Sequence, residues 1–224
     1  MATYLIVGAD RGIGREMVRQ LDVRGEAVVA ACLGGETLDG ANVVTVPYMD
    51  VTSDAAVAKL ALALDQQPKL DAVVIVAGVL GLDTLGEIDF DDVRRQIEIN
   101  TIGPLRVAQA VLPFLAANAK IGIVTSRVGS LADNGSGGMY AYRVSKCGAN
   151  MVGLNLHHDL RERGHSVLLL HPGMVATDLT ADMRGDLEWD TPENAAAGLI
   201  RNMDELTPET SGKFRHANGE WLPW

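Results

Sequence analysis

Short runs of almost wholly apolar residues, rich in β-branched side chains, recur along the chain between longer segments of helical periodicity. Polar and apolar residues do not alternate within the runs, so both faces of each predicted strand must be buried. Strands of this kind are typical of a parallel sheet covered by helices on both sides. Six strands are predicted, at residues 4–7, 27–31, 43–46, 72–76, 121–125 and 167–170.

Helices are predicted between these strands. The second begins at a cap signal around Ser53 and ends before Pro68, and the last opens with Thr191 as its cap and Pro192 in its first turn. Strand–helix alternation without repeats or linkers predicts a single-domain α/β fold over residues 1–224, a Rossmann-like doubly wound parallel sheet flanked by helices. The other predicted helices cover residues 13–24, 53–67, 90–117 and 142–163.

Charge and hydropathy exclude several classes of function. The chain has 29 acidic and 19 basic residues, a net charge of −10, and no Lys/Arg cluster, so we expect neither a nucleic-acid nor a membrane partner. The longest apolar stretch, residues 72–82, is too short to span a bilayer. The start lacks the features of a signal peptide, and Cys32 and Cys147 are expected to be buried thiols rather than a disulfide framework. These features predict a cytoplasmic protein.

A glycine-rich loop follows the first strand directly and leads into a helix. It reads Gly8-Ala9-Asp10-Arg11-Gly12-Ile13-Gly14, with the spacing G-x-x-x-G-x-G. Glycine here either allows a tight strand–helix turn or lets a pyrophosphate approach bare backbone at a helix N-terminus. Its position at the first βα junction favours dinucleotide binding.

The end of the second strand bears on which dinucleotide would bind. NAD sites usually carry an acidic residue there, but Cys32 and Leu33 occupy this point. Arg11 could contact a 2′-phosphate or be a solvated loop cation. Asp50, after the third strand, could accept a hydrogen bond from an adenine amino group or cap the helix that begins near Ser53.

Tyr142 and Lys146 are four residues apart at the start of a predicted helix, so they share one helix face. A tyrosine with an ordinary pKa near ~10 is a poor proton donor at neutral pH, and a nearby ammonium group favours the phenolate. Such a pair suits carbonyl reduction, in which a proton donor stands beside a hydride source.

These motifs together resemble the short-chain dehydrogenase/reductase family, in particular its C-factor-like and sniffer-like carbonyl reductases. The resemblance covers the whole chain, with the motifs in the family's order. The family motifs are the glycine loop, Asp50-Val51, Ala77-Gly78, Asn100, Ser126, Tyr142/Lys146 and Pro172-Gly173, and the subgroup motifs lie at residues 129–134, 136–138, 140–143 and 219–224.

The resemblance implies roles for four catalytic residues. Tyr142 would be the general acid, and Lys146 would lower its pKa and bind the nicotinamide ribose. Ser126 would hydrogen-bond the substrate carbonyl, and Asn100 would hold a water that links Lys146 to solvent. Ser130 is a rival for Ser126.

Tyr140 is a rival for Tyr142 but has no lysine four residues later. Thr177 resembles the residue that contacts the carboxamide, with a helix cap as its alternative role. The full set of implied cofactor-binding residues is Gly8, Asp10, Arg11, Gly12, Ile13, Gly14, Leu33, Asp50, Val51, Ala77, Gly78, Asn100, Tyr142, Lys146, Pro172, Gly173, Val175 and Thr177.

Three residues depart from the family pattern. Val7 and Val76 stand where the family often has Thr and Asn, which brace the sheet beside the cofactor, so affinity could be modest. Leu33 stands where the subgroup often has an arginine that contacts NADP, which leaves Arg11 as the obvious 2′-phosphate partner.

The resulting prediction is an oxidoreductase that uses NADP(H) in preference to NAD(H) on a small carbonyl or alcohol substrate. The alternative is a dinucleotide-binding regulatory protein of the C-factor type with little turnover. The apolar helices at residues 103–117 and 142–163 predict a homodimer or homotetramer. Loops after Thr177 and at residues 81–87 should shape an open pocket, Trp221 and Trp224 should pack, and His157 and His158 lack metal-ligand spacing.

Overall fold

A computed structural model of the chain describes residues 1–183 and 188–224. Seven parallel strands form one sheet in the order β3-β2-β1-β4-β5-β6-β7. Every residue of β1 and β6 is buried, as expected of strands that are covered on both faces. The strands are β1 (Thr3–Val7), β2 (Ala27–Ala31), β3 (Val43–Val46), β4 (Leu70–Ile75), β5 (Leu115–Val124), β6 (Ser166–His171) and β7 (Lys213–His216).

Helices cover both faces of this sheet, and each face has its own apolar core. One core joins α1 and α6 to the sheet, and the other joins α2, α4 and α5 to the opposite face. The prediction of a doubly wound α/β fold is therefore confirmed. The α-helices are α1 (Gly12–Val23), α2 (Asp54–Leu64), α3 (Phe90–Ile97), α4 (Gly103–Val111), α5 (Tyr140–Leu160) and α6 (Pro192–Asp204).

The strand order places a crevice at one edge of the sheet. β1 pairs with β2 on one side and with β4 on the other, so the chain winds outward in opposite directions from β1. In such sheets ligands bind beyond the carboxyl ends of the strands at the point where the winding reverses. The glycine loop after β1 and the segment after β4 meet at this point.

The prediction of one continuous helix over residues 90–117 is wrong. Instead, α3 ends at Ile97, a π-helical segment covers Glu98–Ile102, and α4 ends at Val111. The π turn brings the buried Asn100 towards α5, where its side chain binds Ser145. A 3-10 turn then leads into β5 from Leu115, so the last predicted helical residues belong to a strand.

Strand β7 was missed because its residues, Lys-Phe-Arg-His, lack an apolar run. It lies at the sheet edge, where only Phe214 is buried. Helix α5 also begins two residues before the predicted start and ends at Leu160. Cys147 is half-buried rather than buried, whereas Cys32 is buried as expected. In the described parts of the chain, none of the helices combines the length and the apolar character that crossing a bilayer requires.

Candidate active site

A cleft of about 240 Å³ opens beyond the carboxyl ends of β1 and β4. It gathers residues that are distant in the sequence, as the topology requires. Most of the predicted site lines it, namely Gly8, Asp10, Arg11, Gly12, Ile13, Leu33, Asp50, Val51, Ala77, Gly78, Tyr142, Lys146, Pro172 and Thr177. The other predicted residues, described but outside that lining, are Gly14, Asn100, Ser126, Gly173 and Val175.

The glycine loop is packed so closely that side chains would not fit. A Cβ on Gly8, whose φ is +86°, would lie 2.6 Å from the backbone nitrogen of Ala77, and a Cβ on Gly14 would clash with the carbonyl oxygen of Gly8. The side chain of Arg11 does not cap α1, and the first turn of the helix carries no acidic residue. The amide groups of that turn are therefore suited to an anion such as a pyrophosphate.

Backbone hydrogen bonds hold the sheet edge beside this loop. The amides of Val76 and Ala77 both donate to the carbonyl of Val7, at 2.8 and 3.0 Å, and the Gly8 amide donates to Ala31 at 2.9 Å. The neighbouring strand ends are thus joined by backbone hydrogen bonds, although Val7 and Val76 stand where the family often has Thr and Asn.

Asp10 has a structural role that sequence reasoning did not assign. Its carboxylate accepts hydrogen bonds from the amides of Leu33 at 2.9 Å and Gly34 at 2.6 Å, so it fixes the chain as it leaves β2. Leu33 is 62% exposed, as a residue on the rim of the cleft. Asp10 therefore places a negative charge beside the end of β2, the position at which NAD(H) and NADP(H) would be distinguished.

Arg11 is neither free nor buried. Its guanidinium forms an ion pair with Asp178 at 3.3 Å, and both side chains are mostly exposed. Asp178 lies in the segment that follows β6, so the pair joins the two sides of the cleft. Any contact with a phosphate would have to replace this weak pair.

Asp50 does not cap α2. The cap is Ser53, whose hydroxyl accepts from the Ala56 amide, while the Asp50 carboxylate accepts from the amide and hydroxyl of Thr52, each at 2.8 Å. The tight turn keeps Asp50 and Val51 on the wall of the cleft.

Tyr142 and Lys146 lie on one face of α5, deep in the cleft. Burial raises the pKa of Tyr142 to about 12, and a hydrogen bond between its side chain and that of Ser126 opposes the rise. Burial also lowers the pKa of Lys146 to about 8. Its ammonium donates to the Val124 carbonyl at 3.1 Å, which ties α5 to the end of β5.

Asn100 joins the π-helical segment to two other parts of the site. Its amide nitrogen donates to the Ser145 hydroxyl at 2.9 Å and to the Val79 carbonyl at 2.8 Å, and its oxygen accepts from the Val79 amide at 2.8 Å. A Cβ on Gly78 would lie 3.1 Å from the Asn100 oxygen and 3.3 Å from the Lys146 ammonium. Asn100 and Lys146 therefore face the same small space.

The geometry favours Ser126 and Tyr142 over their rivals. The Ser130 hydroxyl accepts a hydrogen bond from the Asp133 amide at 3.1 Å, within its own turn, whereas Ser126 reaches Tyr142. Tyr140 does not line the main cleft, but lines a second cavity of about 260 Å³ with Cys147.

The segment after β6 forms the opposite wall. Pro172 and Thr177 line the cleft, and Val175 is buried and bridges to Asp190. A Cβ on Gly12 would lie 3.2 Å from the Thr177 methyl group, so this segment meets the glycine loop across the cleft. The predicted openness of the pocket concerns residues 177–189, of which 184–187 lie outside the described residues.

Sequence reasoning missed several wall residues, namely Met49, Val79, Ile99, Val124, Thr125, Asp178 and Leu179. Each lies within a few residues of a recognised motif or strand end, and that adjacency was the available signal. Trp224 and His157 make contacts outside the cleft. Trp224 stacks on Phe214, and His157 Nδ1 lies 2.7 Å from the Ser211 hydroxyl. No group of potential metal ligands occurs among residues 1–183 and 188–224.

The cleft fits a nicotinamide dinucleotide. The bare glycine backbone and uncapped start of α1 would receive the pyrophosphate, and Asp50 and Val51 would lie at the adenine end. Gly78 leaves space beside Asn100 and Lys146 that a side chain would fill, at the end that holds Tyr142.

Comparison with known proteins agrees with this geometry. The family profile described as short chain dehydrogenase matches residues 2–188. The chain belongs to this family. It is an oxidoreductase of the short-chain dehydrogenase/reductase type, which confirms the resemblance seen in the sequence.

Two relatives extend the comparison. The chain is 61% identical over 226 aligned positions to 1-hydroxy-2-glutathionyl-2-methyl-3-butene dehydrogenase of Rhodococcus sp. (strain AD45), with all of both chains covered. It is 43% identical over 158 positions to C-signal of Myxococcus xanthus, covering 69% of this chain and 93% of that protein.

Two solved structures share the whole fold. The NADPH-bound carbonyl reductase from chicken fatty liver aligns with a TM-score of 0.86 and 28% identity, over 100% of this chain and 99% of that one. The carbonyl reductase Sniffer of D. melanogaster aligns with a TM-score of 0.91 and 25% identity, over 100% of both chains. Both are carbonyl reductases.

Proposed function

We propose that this oxidoreductase interconverts an alcohol and a carbonyl compound with Tyr142 as the group that gives or takes the proton. The observation that carries the proposal is the contact of Tyr142 with Ser126 at the buried end of the cleft, beside Lys146. A bound nicotinamide supplies or accepts the hydride. The residues of the chain place the substrate oxygen and move the proton.

Ser126 and Tyr142 would hold the substrate oxygen from two sides. Their mutual hydrogen bond places the two hydroxyls side by side, which supports a site where a carbonyl oxygen would accept from both. In reduction, Tyr142 would release its phenolic proton to the developing alkoxide. In oxidation, the same oxygen would take the proton up.

Lys146 and Asn100 would serve the proton transfer indirectly. Burial alone keeps the phenol protonated, so the phenolate needs the Lys146 ammonium, together with the hydrogen bond from Ser126. Lys146 would also hold the nicotinamide ribose. Asn100, which faces the same space, would keep a water that links the ammonium to solvent.

The cofactor we propose is NADP(H) in preference to NAD(H). No acidic side chain at residues 32–35 would repel a 2′-phosphate, and Arg11 is a cation on the adjacent loop. The NADPH bound to the structurally similar chicken carbonyl reductase supports this choice. Asp10, fixed at the end of β2, and the pairing of Arg11 with Asp178 both limit the preference.

The substrate class is suggested by the relative that is 61% identical over its whole length. That dehydrogenase is named for an alcohol that carries a glutathionyl group. We propose that this chain likewise accepts hydroxyalkyl thioethers of glutathione, or the matching aldehydes, in addition to simple carbonyl compounds.

The experiment that tests this function follows nicotinamide absorbance with S-(hydroxyalkyl)glutathione in one direction and an aromatic aldehyde in the other. Tyr142→Phe removes only the hydroxyl, so cofactor binding should persist while kcat falls by roughly 10²–10⁴-fold. Tyr140→Phe is the matched control and should be mild.

If Tyr142→Phe keeps the wild-type rate, the proton-transfer role is wrong. If wild type binds cofactor but turns over none of these compounds, the result favours a regulatory role like that of a signalling protein. The similarity to C-signal is the observation behind that alternative.

We also propose that the chain acts as a dimer or tetramer in the cytoplasm. Exposed apolar side chains on α5, Val144 and Met151, lie seven residues apart on one helix face, with Ile102 and Leu105 exposed at the start of α4. Thr101 contacts the same region of α5 through its hydrogen bond to the Ser145 carbonyl. A second copy would cover these residues.

A further inference from the structure

The first turn of α5 carries Tyr142 but is not capped by the side chain of the residue that precedes it. The residue before the helix, Met139, has a left-handed backbone with φ 50°, and its side chain makes no capping hydrogen bond. The first amides of a helix need acceptors, because they have no partners within the helix. In α5 these acceptors come from elsewhere.

Asp83 supplies both acceptors. One carboxylate oxygen accepts from the Tyr140 amide at 2.6 Å, and the other accepts from the Ala141 amide at 2.7 Å. These short, charge-assisted bonds place a negative charge at the positive end of the helix. Asp83 is half-buried and lies 57 residues before Tyr140 in the chain, in the segment between β4 and α3.

The segment that carries Asp83 is also attached to the cleft. Val79, four residues before Asp83, lines the cleft, and its backbone amide and carbonyl both bind the side chain of Asn100. Asp83 thus joins a wall of the cleft to the first turn of α5, which carries Tyr142.

A second anchor near this turn acts on a different part of the chain. Arg143 donates to the carbonyl of Gly138, to that of Val128 and to the hydroxyl of Ser136, so it holds the loop before the helix. The amides of Tyr140 and Ala141 are held by Asp83. The position of the turn itself therefore depends on that carboxylate.

We infer that Asp83 is a positioning residue, which fixes the first turn of α5 and so keeps the Tyr142 hydroxyl in register with Ser126. The inference rests on the proposed role of Tyr142 in proton transfer. It also makes the segment at residues 79–88 more than a pocket wall, because a shift of that segment moves the proton donor.

The test compares kcat, KM and cofactor affinity in Asp83→Ala with the same values in wild type. Small displacements of reacting groups cost much of the rate, so kcat should fall about tenfold or more. Cofactor affinity, measured by quenching of tryptophan fluorescence with NADPH, should stay within about twofold, because Asp83 is not one of the residues that line the cleft. Asp83→Asn keeps one acceptor oxygen and should fall between Asp83→Ala and wild type.

Asp89→Ala is the matched control. Asp89 caps α3 by accepting from the Asp91 amide at 2.9 Å, so the variant removes a carboxylate cap from a helix without Tyr142 or Lys146. Both alanine variants should lower the melting temperature by a few degrees. Only Asp83→Ala should lower kcat.

The inference is overturned if Asp83→Ala keeps kcat within twofold of wild type, or if Asp89→Ala loses kcat equally. Should Asp83→Ala not fold, Asp83→Asn decides, because a kcat equal to that of wild type with one acceptor and no charge would contradict the inference. Failure of the proposed function is seen separately, since then Tyr142→Phe would keep its rate.

Discussion

The ammonium group of Lys146 lies over the Tyr142 ring, 5.7 Å from the ring centre. Both groups are buried, and burial raises the pKa of Tyr142 to about 12 and lowers that of Lys146 to about 8, so burial shifts each group towards its neutral form. The proposed proton transfer requires that Tyr142 can form a phenolate and that Lys146 carries its ammonium charge. The site therefore holds a lysine whose charge is costly to the fold.

Replacing this lysine should stabilise the protein below pH 8. The pKa of Lys146 is about 8 when folded and 10.5 in its ordinary state, so the unfolded chain holds more protons between these values. Stability must then rise with pH from about 8 to 10.5, and the full cost of the buried charge is present below pH 8. We expect Lys146→Met to raise the free energy of unfolding at pH 7 by up to a few kcal/mol, at about 1.4 kcal/mol per pKa unit.

Urea denaturation between pH 7 and 9.5 measures this effect. The rise in stability with pH should be present in wild type and reduced in Lys146→Met, although that variant should lose most turnover. Lys59→Met, on α2, is the control. A Lys146→Met variant that is less stable than wild type at pH 7 would show that the bond to the Val124 carbonyl outweighs the cost of burying the charge.

The fold and the centre of the site were predictable because their signals are local. Apolar runs mark strands, and a parallel sheet brings the residues after its strands to one edge, which is where Gly8 and Asp50 lie. The family resemblance added Ala77 and Ser126 to this set. The helical repeat places Tyr142 and Lys146 on one helix face, and their position after the fifth strand together with the family resemblance gave them catalytic roles.

The contacts that depend on distant partners could not be predicted. Nothing near Asp83 in the sequence indicates that it binds amides 57 and 58 residues later, and nothing near Arg11 indicates Asp178. The break between α3 and α4 also went unpredicted, because Asn100 departs from regular helix in order to reach Ser145 and Val79, which are remote in the chain.

The chain should assemble through α5. Wild type should show at least twice the chain mass of 23.8 kDa by light scattering at micromolar concentration. Met151→Glu places a charge on the 58% exposed side chain of the expected interface, and burial of an unpaired charge is unfavourable, so this variant should dissociate. Leu62→Glu, on the exposed face of α2, is the control and should keep the wild-type mass. A wild-type particle of one chain mass would contradict the assembly.

Cofactor preference should follow the charge balance at the rim of the cleft. A charge-assisted contact is worth about 1.5–3 kcal/mol, or about ten- to hundredfold in affinity, and screening at an exposed loop favours the lower figure. We therefore expect wild type to bind NADPH about tenfold more tightly than NADH, and Arg11→Ala to bind both equally. Asp178→Asn frees Arg11 from an exposed ion pair worth up to about 1 kcal/mol, so it should strengthen NADPH binding a few-fold.

Two variants at the end of β2 test whether added charge at the rim of the cleft changes the preference between NADPH and NADH. Leu33→Arg adds a second cation on the rim and should increase the preference for NADPH, whereas Cys32→Asp should favour NADH, because a carboxylate there repels the 2′-phosphate. Fluorescence titrations of each variant with NADPH and NADH give the ratios directly. Suppose instead that wild type binds NADPH and NADH equally and that Arg11→Ala changes neither affinity. Arg11 then only forms its ion pair with Asp178, and the negative charge of Asp10 dominates the electrostatic potential at this rim.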